Sequence, residues 1–180
     1  PIDSFGTRNL RNERDFLGGD KLFRNDDGKF VDVSDQAGIL GSVIGFGLGV
    51  TVGDINGDGW QDIYISNDFF ERDYLYLNNQ NGSFSEQLPN AMGHISLSSM
   101  GADMADLNND GYPEIFVTDM LPKDDQRLKQ TSTYESYNVF TSKLRQGYYH
   151  QYMRNMLHWN HGDGSFSEIG QLAGVHATDW

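Results

Sequence analysis

Two short acidic segments of this chain have the composition and spacing of loops that wrap a divalent cation. The first runs from Asp54 to Asp62 and the second from Asp106 to Glu114. Ca²⁺ takes about six to eight oxygen ligands, and alternate residues of a tightly turned loop can point their oxygens inward. Side chains at the first, third, fifth and ninth positions and the backbone carbonyl at the seventh would supply them. The predicted ligands are Asp54, Asn56, Asp58, Trp60 and Asp62 in the first loop and Asp106, Asn108, Asp110, Tyr112 and Glu114 in the second.

The sixth position of each segment is a glycine, Gly59 or Gly111, which permits the positive φ of a sharp turn. A single stretch of this kind is also explained as a solvated turn, because Asn, Asp and Gly favour turns by themselves. A second copy with the same pattern shifts the interpretation toward metal. We therefore predict two Ca²⁺ sites.

The flanking residues predict strands beside each loop. β-Branched and aromatic residues alternate at 49–53 and 63–66 around the first loop and at 115–118 after the second. An EF-hand would need helices there and a glutamate at its twelfth position, where this chain has Ile65 and Val117. A dockerin-like pair would repeat its loop at closer intervals, and the nonapeptide calcium roll needs tandem glycine-rich units that this sequence lacks. The pattern indicates a β-loop-β site.

The composition fits a globular domain made mainly of short strands. Glycine contributes 21 of the 180 residues and aromatic residues 13%, which suits tight turns and argues against disorder. The formal net charge of -13 makes nucleic-acid binding through phosphate neutralisation an unfavourable interpretation. The chain has no cysteine, which excludes disulfides and thiolate chemistry. No signal peptide or membrane span is visible in the sequence, and the start at Pro1 suggests processing or an excised fragment.

Three hairpins of one design recur along the chain, at residues 22–30, 75–84 and 157–166. Each has an alternating strand, an Asp-Gly or Asn-Gly turn and a second strand with a phenylalanine two residues after the glycine. Together with the acidic segments between them, they give a repeat unit of about 50 residues, which is a period typical of propeller blades. One full unit predicts four strands, at 48–54, 62–67, 73–78 and 83–87.

This periodicity predicts an all-β fold of four-stranded antiparallel β-propeller blades with a short helical insertion. Because two complete blades cannot close a ring of about four to eight, we expect a fragment of a larger propeller, whose remainder lies in the parent chain or in an associated chain. The predicted divisions are a surface excursion (1–21), the outer hairpin of a preceding blade (22–34), a complete blade (48–87), a second complete blade (98–169) interrupted by an insertion (120–154), and the start of the next blade (170–180).

The insertion differs from the blades in character. Residues 123–154 lack strand alternation and predict one or two short helices broken near Gly147. The aromatic run at 148–152 can be a platform for a sugar or a peptide, or, as the plainer alternative, it can dock the insertion onto the propeller. The basic residues of the insertion, six of the 13 in the chain, are Lys123, Arg127, Lys129, Lys143, Arg145 and Arg154.

The run Gly45-Phe46-Gly47-Leu48-Gly49, ahead of the first acidic segment, resembles the FG-GAP repeat. This repeat is also described as the VCBS repeat and is known from the seven-bladed β-propeller of integrin α subunits. The second unit matches it less well, because Met100 stands where the phenylalanine would be. Segments at 71–75, 118–122 and 153–157 also resemble a narrower group of secreted bacterial proteins related to cartilage acidic protein, described as ASPIC/UnbV.

The resemblance implies a calcium-bearing β-propeller of seven blades in a secreted or surface-anchored protein that acts in adhesion, recognition or scaffolding. Carried over position by position, the metal ligands of the family fall on the two acidic segments, with Glu114 in place of the usual aspartate. The expected location is extracellular, at the cell surface or periplasmic, where calcium sites of modest affinity are filled. The expected partner is an extracellular protein or glycan, and we expect neither a nucleic-acid partner nor enzymatic activity.

The residues leave two other functions open. The chain can be structural filler in a large surface protein, with recognition elsewhere, or part of a propeller enzyme such as a polysaccharide lyase or hydrolase. No nucleophile elbow, His-Glu-x-x-His motif or phosphate loop accompanies the second alternative. Its acid–base candidates are His94, His150, His158 and His161 with Asp103 or Asp119.

Overall fold

A computed structural model describes residues 10–131 and 135–178. The first nine residues of the predicted surface excursion, residues 132–134 of the insertion and the last two residues of the chain lie outside the described residues.

Short strands joined by turns dominate the described chain. The strands are β1 (Phe23–Asp26), β2 (Lys29–Asp32), β3 (Gly47–Gly53), β4 (Asp62–Asn67), β5 (Tyr74–Asn78), β6 (Phe84–Glu86), β7 (Ile95–Ser96), β8 (Gly101–Ala105), β9 (Glu114–Thr118), β10 (Gln151–Tyr152), β11 (Met156–Asn160) and β12 (Phe166–Glu168). The helices are α1 (Ser34–Ala37), α2 (Leu88–Ala91), α3 (Asp125–Thr131) and α4 (Tyr137–Arg145), with a 3-10 turn at Leu10–Asn12.

Two four-stranded antiparallel sheets form the body of the molecule. The first blade has the strand order β3-β4-β5-β6 and the second has β8-β9-β11-β12. Their registers are equivalent, since Gly53 pairs with Asp62 where the first acidic loop closes and Ala105 pairs with Glu114 where the second closes. Each acidic loop therefore joins the first two strands of its blade.

The hairpin β1–β2 is a third, smaller sheet with the turn chemistry that its sequence predicts. The two residues at its tip, Asp27 and Gly28, have φ values of 53° and 88°. Such paired positive values match the right-handed twist of the strands, and Asp-Gly adopts them readily. Leu22 and Val33 beside this hairpin pack against a buried cluster that includes Ile65, Tyr74 and Tyr76 of the first blade.

The two blades pack face to face through their first strands. Gly49 lies so close to Gly101 that an added Cβ would come within 3.1 Å of the Gly101 Cα. The Thr51 hydroxyl donates to the Ala102 carbonyl at 2.6 Å. Behind this contact, Tyr64 and Leu75 of the first blade share a buried core with residues of the second blade such as Ile115, and burial of these side chains stabilises the pair of blades.

The insertion between β9 and β11 contains α3 and α4. The Ser136 side chain accepts a hydrogen bond from the Val139 N–H at the start of α4, and the helix ends ahead of Gly147, which has a φ of 84°. After it, β10 pairs in parallel with β7, which lies between the two blades in the chain and buries Ile95 in their shared core. The insertion is thus fixed to the junction of the blades.

The fold class predicted from the sequence is confirmed. The chain is mainly antiparallel β-sheet with a few short helices, and it has the architecture of a fragment of a β-propeller whose ring is not closed. Within residues 10–131 and 135–178, none of the helices combines the length and the apolar character that crossing a bilayer requires.

Candidate metal centre

The first acidic loop is organised around the carboxylate of Asp54. Its Oδ1 accepts the N–H groups of Gly57 at 2.9 Å and Asp58 at 3.1 Å, and its Oδ2 accepts the N–H of Gly59 at 2.8 Å. Gly57 and Gly59 have φ values of 73° and 85°, which glycine adopts without steric cost. The side chain at the first position thereby winds the loop around itself.

The third and fifth positions face each other inside this turn. The Asn56 Oδ1 accepts the Asp58 N–H at 3.0 Å, and the Asn56 Nδ2 donates to the Asp58 Oδ2 at 3.2 Å. The Asp58 Oδ1 accepts the Trp60 N–H at 2.8 Å, and this bond is the main reason that the pKa of Asp58 is lowered. The side-chain oxygens of both residues thus lie on one short arc of backbone.

The ninth position, Asp62, is completely buried. Its Oδ2 accepts the Ile55 N–H at 3.1 Å, and its Oδ1 accepts the Asn78 N–H at 2.8 Å, so it ties the loop to β5. Burial raises the pKa of Asp62, the two N–H donors oppose that effect, and the nearby charges of Asp58 and Asp54 add to it.

The second acidic loop repeats this turn. Asp106 accepts the N–H groups of Asp110 at 3.1 Å and Gly111 at 2.9 Å. The Asn108 Oδ1 accepts the Asp110 N–H at 2.8 Å, as Asn56 does in the first loop. The fourth position is Asn109, with a φ of 62° where Gly57 has 73°. The two loops thus share one backbone conformation, which the repeated spacing of the sequence predicted.

Glu114 departs from Asp62 at the ninth position. Its Oε2 accepts the Leu107 N–H at 2.8 Å, which is the equivalent of the Ile55 bond. The longer side chain places its Oε1 3.3 Å from the Asn108 Nδ2, inside the loop. Glu114 therefore faces a predicted ligand, whereas both oxygens of Asp62 accept backbone N–H groups.

The seventh positions differ in their surroundings. Trp60 is exposed. The Tyr112 ring lies against the first loop, because a Cβ added to Gly57 would come within 3.2 Å of the ring. The ring also lies against Gly162, where an added Cβ would come within 2.7 Å of it. Tyr112 therefore links the second loop to the first and to the turn after β11. The spacing of the residues did not predict this contact.

Both loops offer a set of oxygen donors that suits a hard cation. Each contributes two aspartates, an asparagine and a further carboxylate, with a backbone carbonyl at the seventh position. The carboxylates of each loop turn toward backbone N–H groups. In the described parts of the chain, no three histidine, aspartate or glutamate side chains lie close enough together to hold a metal ion by themselves. A cation would therefore recruit the asparagine and backbone oxygens together with the carboxylates.

The candidate acid–base histidines do not converge with their proposed partners. Asp119 accepts the Ser96 hydroxyl at 2.5 Å and several backbone N–H groups, and Asp103 bonds to the adjacent Met104 N–H. His161 contacts the Ser167 hydroxyl at 2.8 Å. His150 packs near Tyr149 and Phe140.

His94 has a partner that the sequence did not suggest. Its Nε2 lies 3.2 Å from Glu168, which also pairs with Arg154 at 2.9 Å. His158 is buried nearby, and burial lowers its pKa to about 4, so this imidazole is neutral at physiological pH. The same position in the first blade is Tyr76, whose hydroxyl accepts the Leu40 N–H at 2.9 Å.

The aromatic run of the insertion has mainly an anchoring role. The Tyr149 hydroxyl donates to the Met92 carbonyl. Tyr152 packs edge-on against His94, which lies outside the insertion, with ring centroids 5.5 Å apart. Tyr148 lies under the Arg11 guanidinium at 5.0 Å, and Arg11 forms an ion pair of 2.8 Å with the buried Glu71. These contacts favour the docking interpretation over a free ligand platform.

Comparison with known proteins agrees with the architecture. The FG-GAP-like repeat matches residues 10–65 and, overlapping them, residues 54–117, which together exceed half of the chain. Integrin alpha-6 of Homo sapiens is 39% identical over 83 residues, covering 40% of this chain and 7% of that protein.

Two further integrin alpha subunits match similarly. Integrin alpha-7 of Rattus norvegicus is 38% identical over 88 residues, covering 41% of this chain and 7% of its own length. Integrin alpha-3 of Mus musculus is 30% identical over 99 residues, covering 48% of this chain and 9% of that protein. The matched region spans less than a tenth of each of these relatives. The chain belongs to the FG-GAP-like repeat family.

Proposed function

We propose that this chain is a non-enzymatic, calcium-binding recognition module of the β-propeller type, in which Ca²⁺ makes the loops at one end of each blade rigid. The observation that carries the proposal is the repetition of one turn. Asp54 and Asp106 wind equivalent loops in equivalent registers of two neighbouring sheets. A solvated turn does not require the same four positions to carry carboxylate or amide side chains twice.

The residues expected to hold the two ions are those predicted from the spacing. The carboxylates and amides of positions one, three, five and nine would provide hard oxygen ligands, and the carbonyls of Trp60 and Tyr112 would complete each set. Glu114 supports this assignment in the second loop, because its Oε1 already faces Asn108. When bound, Ca²⁺ would supply the positive charge that offsets repulsion among the three carboxylates of a loop.

The rest of the chain would provide the framework that holds the calcium-bound loops in place. Asp62 ties the first loop to β5, and the Tyr112 ring packs between the loops. Ordering one loop therefore restrains its neighbour and the ends of four strands. The blades would present a stiff surface for an extracellular protein or glycan.

The proposed setting is outside the cell or at its surface, and adhesion or recognition is the proposed role. Two observations support it: the integrin alpha relatives and the family match. The narrower resemblance to secreted ASPIC/UnbV proteins is compatible with this proposal. Further blades, from a longer parent chain or an associated chain, would complete the ring.

Calcium titration by isothermal calorimetry tests the proposal. We expect two ions per chain, and Asp58→Ala and Asp110→Ala should each lower the stoichiometry by one. Asp163→Asn, in an exposed hairpin turn outside the loops, is the matched control and should leave two sites. A stoichiometry that is unchanged in both loop variants would overturn the assignment.

A further inference from the structure

The first acidic loop contains an Asn-Gly bond, Asn56-Gly57, in surroundings suited to chemistry on the asparagine side chain. We propose that Asn56 is a self-modification site, at which the loop converts its own asparagine to aspartate or isoaspartate through a cyclic succinimide. The second loop has Asn108-Asn109 at these positions. The inference concerns a covalent change that the proposed binding function does not include.

The reaction needs no cofactor. The backbone nitrogen of Gly57 attacks the Cγ of Asn56, a C–N bond closes the five-membered ring, and the proton of that nitrogen leaves with the amide group as ammonia. Water then opens the ring at either carbonyl. One opening gives aspartate, and the other gives isoaspartate, in which the backbone runs through the side chain.

Three contacts place catalytic groups around these atoms. The Gly57 N–H donates to the Asp54 Oδ1 at 2.9 Å, so a carboxylate is in position to accept the proton of the nucleophile. The Asp58 N–H donates to the Asn56 Oδ1 at 3.0 Å, where negative charge develops during the attack. The Asn56 Nδ2, which departs as ammonia, donates to the Asp58 Oδ2 at 3.2 Å.

The second loop keeps one half of this arrangement. Its Asn108 Oδ1 accepts the Asp110 N–H at 2.8 Å, and its Asn108 Nδ2 donates to the Asp110 Oδ2 at 2.7 Å. The nucleophile differs, since the nitrogen of Asn109 belongs to a residue with a side chain that hinders ring closure. The N–H groups that reach Asp106 belong to Asp110 and Gly111, and no hydrogen bond of the described chain joins the Asn109 N–H to it.

A second Asn-Gly bond lies outside the acidic loops and serves as a reference. Asn81-Gly82 is in the exposed turn between β5 and β6, and the Asn81 Oδ1 accepts the N–H and the hydroxyl of Ser83. No described hydrogen bond joins the Gly82 N–H to a carboxylate. Asn81 therefore has the intrinsic reactivity of the dipeptide without the base.

The modification would change the loop at its third position. Aspartate would add a negative charge beside Asp54 and Asp58, whereas isoaspartate would lengthen the backbone of a turn that depends on close spacing. A cation held by Asp54 and Asp58 would occupy the oxygens that contact the reacting groups. Asn56 should therefore convert faster in the metal-free loop than in the calcium-bound loop.

The test is peptide mapping by mass spectrometry of the whole chain after incubation at neutral pH in chelator. We expect Asn56 to gain the mass that replaces NH₂ with OH faster than Asn81 does, and Asn108 to stay unchanged. Asp54→Asn should slow conversion at Asn56 by about a hundredfold, the low end of what a general base contributes, and leave Asn81 unaffected. Equal rates at Asn56 and Asn81, or no effect of Asp54→Asn, would overturn the proposal.

A gain-of-reactivity variant keeps the test independent of damage to the first loop. Asn109→Gly places glycine where φ is already 62°, so the second loop should fold and Asn108 should begin to convert. Because no described hydrogen bond joins the N–H of position 109 to Asp106, Asn108 should convert more slowly than Asn56 does, and equal rates at the two asparagines would contradict the role given to Asp54.

Excess calcium should slow Asn56 and leave Asn81 unchanged. This arm alone rests on the proposed function. Conversion in chelator without protection by calcium would count against metal binding in the loop and not against the self-modification.

Discussion

The two complete blades satisfy the same buried hydrogen bond with acid and amide exchanged. In the first blade the Asn67 N–H donates to the carboxylate of Asp73 at 2.8 Å, and in the second the Asp119 N–H donates to the amide oxygen of Asn155 at 2.8 Å. In both blades a side-chain oxygen accepts the hydrogen bond. The carboxylate belongs to the accepting residue in the first blade and to the donating residue in the second. The repeat therefore fixes hydrogen-bond geometry more strictly than charge.

A similar difference separates the two acidic loops. Asp62 uses both oxygens on backbone N–H groups, while Glu114 uses one oxygen in that way and turns the other toward Asn108. The first loop is thus fastened more firmly to its blade, and the second has more of its carboxylate inside the loop. The blades are equivalent in register and unequal in how they hold the loops.

Removal of calcium should have the largest effect on stability. If two sites are filled at about 100 times their dissociation constant, chelation should lower the free energy of unfolding by about 5 kcal/mol. Urea unfolding with calcium and with chelator measures this. Asp58→Ala should halve the difference, and equal midpoints in both conditions would contradict the proposed sites.

Truncation of the ninth positions should destabilise the two loops to different extents. In chelator, Asp62→Ala should cost about 3 kcal/mol, because it strands the N–H of the buried Ile55 and that of Asn78. Glu114→Ala should cost about 2 kcal/mol, because Leu107 is exposed and water can reach its N–H. Urea unfolding measures both losses, and a larger loss for Glu114→Ala would show that Asp62 does not hold its loop more firmly than Glu114 does.

The exchanged acid and amide predict a pH dependence for the first blade. Burial raises the pKa of Asp73 to about 7 from 3.8, against its bonds from Tyr64, Asn67 and Ser99, and the charge of Asp119 raises it further. The folded state therefore holds a proton between these values that the unfolded state releases. The stabilisation is complete below the unfolded value and is lost as the pH rises to about 7.

Asp73→Asn should remove that contribution, since the equivalent position of the second blade is already Asn155. Between about pH 5 and about pH 7 the wild type should lose about 2 kcal/mol relative to the variant. Unfolding free energies at the two pH values give the result. Parallel pH profiles for the two proteins would show that Asp73 stays ionised in the fold.

The anchoring of the insertion predicts the smallest effect. Tyr149→Phe removes the hydroxyl that bonds to the Met92 carbonyl and should cost about 1 kcal/mol. Tyr137→Phe is the matched control, because Tyr137 is 78% exposed, and it should be neutral. Equal thermal midpoints for both variants would mean that the insertion is not held at this point.

The sequence predicted those features that rest on neighbouring residues. The Asp27-Gly28 turn and the glycines of the acidic loops fix φ locally, and alternation fixes the faces of the strands, so the fold class followed from the pattern. The shape of the loops followed for the same reason. Whether they hold calcium stays a prediction.

Contacts between residues far apart in the chain could not be predicted, because they produce no pattern among neighbouring residues. Arg11 and Glu71 form their ion pair across the junction of the N-terminal segment and the first blade, and β7 pairs with β10 across most of the second repeat. The contact between the Tyr112 ring and Gly57 of the first loop is likewise between residues far apart in the chain. Such contacts depend on the angle at which the blades pack, which composition and periodicity do not encode.

A crystal structure of the chain grown in excess calcium would show whether the two acidic loops bind the ion. We expect one strong density peak in each acidic loop, at calcium–oxygen distances of about 2.3–2.6 Å to the side chains of its first, third and fifth positions. Density for water alone in both loops would contradict it.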